Sequence, residues 1–201
     1  MPLLLMLVFA LTRIPGLMPP NFSAVYGLLF CAGVYFTGAM VWWLPLTVML
    51  ATDVGLNLYY GVAVVQPYML ITYLAFLGLI LLGRRFSPKS SFVSLLAGGV
   101  LGAILFYVIT NTLAWLINPF ANPEYTKDLA GWIVALTQGT KGHPPTWEFF
   151  RSTLMSGGLF TGLFAGAMKL AAALEPKEKE KEHEEAAPEP EEAPEGEEAK
   201  A

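Results

Sequence analysis

From Phe92 to Ile117 the chain runs without one charged residue, further than the roughly 20 apolar residues that an α-helix needs to cross a bilayer core. Other apolar stretches accompany it, so a single buried core helix does not account for the pattern. Of the 201 residues, 55% are hydrophobic and 14% charged, whereas a water-soluble domain carries about 25% charge. Mean hydropathy is +0.53. An ordinary soluble fold is excluded on this balance. A nucleic-acid binder is excluded as well, because 12 basic residues in a chain of net charge −4 assemble no cationic stripe. The single cysteine, Cys31, rules out an internal disulfide framework and reads as a small packing residue.

Six apolar stretches mark the body of the chain: MPLLLMLVFALT, ended by Arg13 and the helix-stopping IPGLMPP; SAVYGLLFCAGVYF; AMVWWLPLTVMLAT, which stops at Asp53; PYMLITYLAFLGLILLG, which ends at Arg84 and Arg85; residues 92–117; and residues 147–174. The early ones are short, so five spans with a re-entrant piece is the alternative count. Residues 1–15 lack the basic n-region and the small-residue cleavage site of a signal peptide. Charge divides the chain at Leu174. Residues 1–174 carry 8 Lys/Arg against 4 Asp/Glu, and residues 175–201 carry 4 against 12. The second segment has no aromatic or branched aliphatic residue to bury and is expected to be a disordered acidic tail, either solubilising or a tether for a basic partner. The expected fold is therefore all-α: an integral membrane bundle of about six transmembrane helices over 1–174, then the tail. Arg84, Arg85 and Lys89 place their loop in the cytoplasm, and both termini with it.

Polar side chains at membrane depth are costly, so their positions point to function. Under this topology they gather at the outer helix ends: Arg13, Asn21 and Ser23, Asp53 and Asn57, Tyr59, Tyr60 and Gln66, then Trp147, Glu148 and Arg151. Tyr107, Asn111 and Trp115 recur at i, i+4 and i+8 on one helix face. Individually these have plainer roles: rings in the interfacial belt, Asn21, Ser23 and Thr146 as helix N-caps, and Glu148 paired with Arg151. Arg13 and Asp53 are harder to dismiss, since either charge alone would be expensive beside an apolar run. Glycines lie the other way. Ser94, Gly98 and Gly102, and likewise Gly158, Gly162 and Gly166, recur every four residues in the cytoplasmic halves and predict close approach of antiparallel helices. A bundle tight at one end and splayed at the other holds a pocket. Arg13, Asn21, Asp53, Asn111, Trp115 and Arg151 are the expected ligand-binding residues, with the two arginines suited to an anionic group. The short run LAGWIVAL, between the last two spans, is a candidate lid or a plain loop helix.

Catalytic machinery is not composed by these residues. His143 stands alone in the body, His183 lies in the acidic run, no phosphate-binding glycine loop occurs, and a paired-carboxylate site would have to combine Asp53 with Glu148. No enzyme activity, metal or cofactor is expected. The runs RIPGLMPPNFSAVYGLLFCAGVYF, WWLPLTVMLATD, ITNTLAWL and FFRSTLMSGGLFTGLFAG, within residues 1–170, resemble the bacterial multi-pass membrane family known as domain of unknown function 6580. In architecture the chain is more distantly similar to the substrate-binding S components of energy-coupling-factor vitamin transporters. That likeness implies an outward pocket for a small, anionic or vitamin-like molecule in the cell membrane, and a separate membrane coupling subunit. No coupling motif is found on the first helix. The rival expectation is a structural or assembly protein whose bundle anchors the tail for a cytoplasmic partner.

Overall fold

The computed structural model describes residues 2–66 and 68–185, with side chains to residue 174. Among the described residues all regular structure is helical: α1 (Pro2–Thr12), α2 (Val25–Tyr35), α3 (Met40–Tyr59), α4 (Met69–Gly83), α5 (Phe92–Ile117), α6 (Leu129–Thr137) and α7 (Thr146–Glu185). Each of the six apolar stretches yields one helix, and LAGWIVAL yields α6. Three helices are long and apolar enough to cross a membrane: α3, α5 and the Thr146–Leu174 part of α7. The other three apolar helices have 11, 11 and 15 residues, or roughly 16–22 Å at the helical rise, against a hydrocarbon core of about 30 Å.

The shortness of α2 has a physical explanation. Ten of its 11 residues are buried, so protein rather than lipid surrounds it and bilayer thickness does not set its length. Its surroundings come close because α2 carries glycine where neighbours cross. A Cβ at Gly33 would overlap the Ile80 carbonyl of α4, and one at Gly83 would overlap the Phe30 carbonyl of α2. On another side, a Cβ at Gly27 would lie 2.5 Å from the Thr161 backbone nitrogen of α7. Helices α5 and α7 meet in the same way: Gly99 abuts the Thr161 side chain, and a Cβ at Gly157 would sit 2.6 Å from that of Ala103.

These contacts correct the glycine rows expected from spacing. Gly98 and Gly102 are tight, but toward Phe30 and Phe86 and toward Leu79, not toward α7. Gly158, Gly162 and Gly166 do face α5 side chains, yet a Cβ there would meet only ordinary contacts at 3.5 Å (Val100), 3.7 Å (Leu96) and 3.9 Å (Phe92). Intervals of four find a common face but not which neighbour fills it, and the closest seams use glycines outside both rows.

The chain divides into one unit, Met1–Met168, and a second from Lys169 onward. Over residues 175–185 of the expected tail α7 continues; Glu and Lys are good helix formers and extension from an existing helix avoids a new nucleus. Residues 186–201 of the expected tail lie outside the described residues.

Candidate functional site

Within Met1–Met168, α1, α3 and α5 run toward one end of the bundle and α2, α4 and α7 start there. A cavity of about 620 Å³ occupies that end. Its wall comes from the α1–α2 loop, the last three turns of α3, the first half of α4, Phe106, Thr110 and Asn111 of α5, and Thr146, Phe149 and Thr153 of α7.

The α1–α2 loop is folded by its own polar atoms. The Thr12 hydroxyl donates to the Phe9 carbonyl at 2.7 Å and accepts from the Ala24 N–H at 3.1 Å. Gly16 and Asn21 take left-handed backbone, with φ of 79° and 57°, a region that glycine and asparagine tolerate best. Asn21 is thus a turn residue rather than an N-cap, and it lines the cavity. Ser23 accepts from the Val25 N–H at 3.2 Å, and Thr146 is itself the first residue of α7.

Arg13 and Asp53 form the charged centre. The Arg13 Nη2 donates to Asp53 Oδ1, each side chain being 17% exposed, and the Tyr73 hydroxyl donates to Asp53 Oδ2 at 2.8 Å. Both carboxylate oxygens are engaged. Arg13 Nε is buried without a hydrogen-bond partner, while the guanidinium carbon lies 5.8 Å from the centroid of the Phe9 ring. Among the described residues no other charged one lines the cavity. The remaining polar lining is amide and hydroxyl. Asn57 donates through Nδ2 to the Val64 carbonyl at 2.9 Å, which ties down the α3–α4 loop, and Asn111 donates to the Tyr107 carbonyl at 2.8 Å. At the α3–α4 loop, burial raises the pKa of the Tyr68 phenol; the charge of Asp53 adds to this, and Arg13 opposes it.

Of the six residues expected at the pocket, Arg13, Asn21, Asp53 and Asn111 share the cavity wall. Trp115 and Arg151 do not. The Trp115 indole donates to the Thr126 carbonyl at 2.6 Å, and Lys127 lies 5.5 Å from its ring centroid. Lys127 also donates to the carbonyls of Trp115 and Leu116, closing the end of α5. Asn111 and Trp115 are four residues apart, so they differ by about 40° in direction and about 6 Å along the axis; Asn111 faces the cavity, and Trp115, one turn further on, meets the α5–α6 loop. Arg151 is exposed on α7 and forms no ion pair with the exposed Glu148.

Nor does α6 cover the cavity, since none of its residues lines it. It is fastened to α5: the Tyr107 hydroxyl donates to the Leu136 carbonyl at 2.5 Å, and the Trp132 indole donates to Thr112 Oγ1 at 3.0 Å. Its first turn is capped by Asp128, which accepts from the Gly131 N–H at 2.8 Å. That bond, with the Thr126 hydroxyl as the next contributor, holds the exposed Asp128 carboxyl below its ordinary pKa.

Sequence reasoning missed Tyr73, Thr110 and the aromatic wall. Tyr73 carried a usable signal, because it lies six residues inside an apolar run where an interfacial ring would sit at the end. No curated protein and no solved structure matches the chain, so the likeness to S components rests on sequence architecture alone. A family model does match, across residues 1–180. The chain belongs to the family of unknown function DUF6580.

Proposed function

We propose that the protein is a non-catalytic integral membrane binder that holds a small molecule in the Arg13–Asp53 cavity. The observation that carries this is the coincidence of volume and chemistry: about 620 Å³, within the range of small-molecule sites, walled by aromatic rings with a few convergent polar groups. Binding rather than catalysis is supported by the lone lining carboxylate, Asp53, which is committed to Arg13 and Tyr73 and has no free partner for proton transfer.

The membrane reading counts six crossings. Helices α3, α5 and the Thr146–Leu174 part of α7 are long and apolar enough to span, and the shorter α1, α2 and α4 would complete the bundle, α2 being almost wholly buried in protein. Arg84, Arg85 and Lys89, together in one short loop, support a cytoplasmic α4–α5 connection, with both chain termini on the same side and the cavity at the outer face. An outward cavity without an ATP-binding loop on the same chain suits the capture subunit of an uptake system whose energy comes from a partner.

The test is a thermal melt of the detergent-purified protein in the fraction below 1 kDa of a cell extract. We expect a rise of several degrees for the native chain and none for Asn111→Trp, which fills the cavity. Equal response of the two, or none in either, contradicts the proposal.

A further inference from the structure

The charged centre and the walls of the cavity together restrict what it accepts. Among the described residues Arg13 is the only cation in the lining, and its charge is already balanced by Asp53. An anionic ligand would therefore meet a pair of zero net charge, with no cation left over to balance its own. Four rings adjoin one another beside this pair: Tyr26 meets Phe106 at 5.0 Å between centroids, Phe106 stacks on Phe76 at 5.2 Å and 12°, and Phe76 meets Tyr73 at 5.8 Å; Tyr26 and Phe76 are buried and support the part-exposed Phe106 and Tyr73. The last of these rings carries the hydroxyl that binds Asp53, so the aromatic surface leads directly to the polar centre. Such a surface favours another flat π-system. Asn57 and Asn111 have each donated an amide N–H to a main-chain carbonyl, and their own amide oxygens remain as acceptors. They call for N–H groups on the ligand's edge.

Resting on the proposed binding role, we infer that the ligand is an uncharged, planar nitrogen heterocycle bearing N–H donors, packed against the accessible Tyr68, Tyr73 and Phe106 rings of the wall, and not an organic anion. This revises the sequence expectation that Arg13 serves an anionic group: a paired arginine supplies no net charge.

The test is calorimetric titration of the full chain in lipid nanodiscs with matched pairs of probes: uracil and orotate, nicotinamide and nicotinate, adenosine and adenosine 5′-monophosphate. We expect the neutral member of at least one pair to bind at least tenfold tighter than its anion. Asp53→Asn, which frees the arginine charge, should narrow or reverse that ratio. Tyr68→Ala removes a ring from the cavity wall that is 45% exposed, so its loss does not empty the core; it should weaken the neutral probe about tenfold. Equal or tighter binding of the anions to the native chain overturns the inference while leaving the cavity a binding site. Silence of every probe, with a melting shift still produced by the extract, overturns the heterocycle class alone. Silence of both probes and extract removes the binding role itself.

Discussion

A single methyl group distinguishes the two kinds of glycine in this protein. At Gly83 a Cβ would collide with the backbone carbonyl of Phe30, and neither main chain can give way without parting α2 from α4. Gly83→Ala should cost about 3 kcal/mol of stability, the upper range for overpacking a core. Gly162→Ala, with only side-chain neighbours beyond 3.7 Å, should leave the melting temperature unchanged; thermal unfolding in one detergent compares the two. Spacing alone singled out Gly162 and passed over Gly83, because intervals of four register a helix face but carry no information about the neighbour across it. Charges were more legible. Arg13 and Asp53 each border an apolar run, and the cost of leaving either unpaired is what brings them together across α1 and α3. Arg13→Ala leaves Asp53 largely buried with only the Tyr73 hydroxyl, and should destabilise the fold by roughly 3 kcal/mol. Removing Asp53 as well should cost less than the sum of the two single losses by about 1 kcal/mol or more, read from a double-mutant cycle of chemical unfolding.

Helix α6 shows how far an element can be anticipated. Its existence was visible in LAGWIVAL, but not its berth: the bonds from Tyr107 to Leu136 and from Trp132 to Thr112 join residues 20 or more apart, beyond any local pattern. The cap makes this helix sensitive to acid in a defined direction. Folded Asp128 has a lower pKa than unfolded Asp128, so its stabilising effect is complete above the ordinary aspartate range and fades as pH falls through the lowered value. Amides of Leu129–Thr137 should gain exchange relative to α5 when pulse-labelled after acid incubation. Asp128→Asn, whose amide caps without titrating, should remove that acid dependence. Helix α2 teaches the complementary lesson. Its length argued against a span by the rule of 20 residues, which presumes lipid on all sides; with ten of 11 residues buried, it is held by glycine-mediated contact instead, and composition does not distinguish lipid from protein as the apolar surroundings.

On the scale of the molecule, the separation of polar from close-packed ends was legible because it is a one-dimensional property. Arg13, Asn21, Asp53 and Asn111 fall at alternating ends of successive helices, and antiparallel connection gathers them. The aromatic surface was not, since Tyr26, Tyr73, Phe76 and Phe106 come from three helices and read individually as core or interface. The same separation fixes where each loop must lie if the bundle stands in a bilayer. In a Cys31→Ala background, the exposed Leu17, Val65 and Lys141 belong to loops at the cavity end, and the exposed Ser87 to the α4–α5 loop at the other. Each is replaced in turn by cysteine and treated in intact cells with a membrane-impermeant maleimide. Labelling at positions 17, 65 and 141, with position 87 reached only after permeabilisation, is the expected result; labelling of 87 from outside, or a split among the other three, contradicts an outward cavity at one end of a membrane bundle.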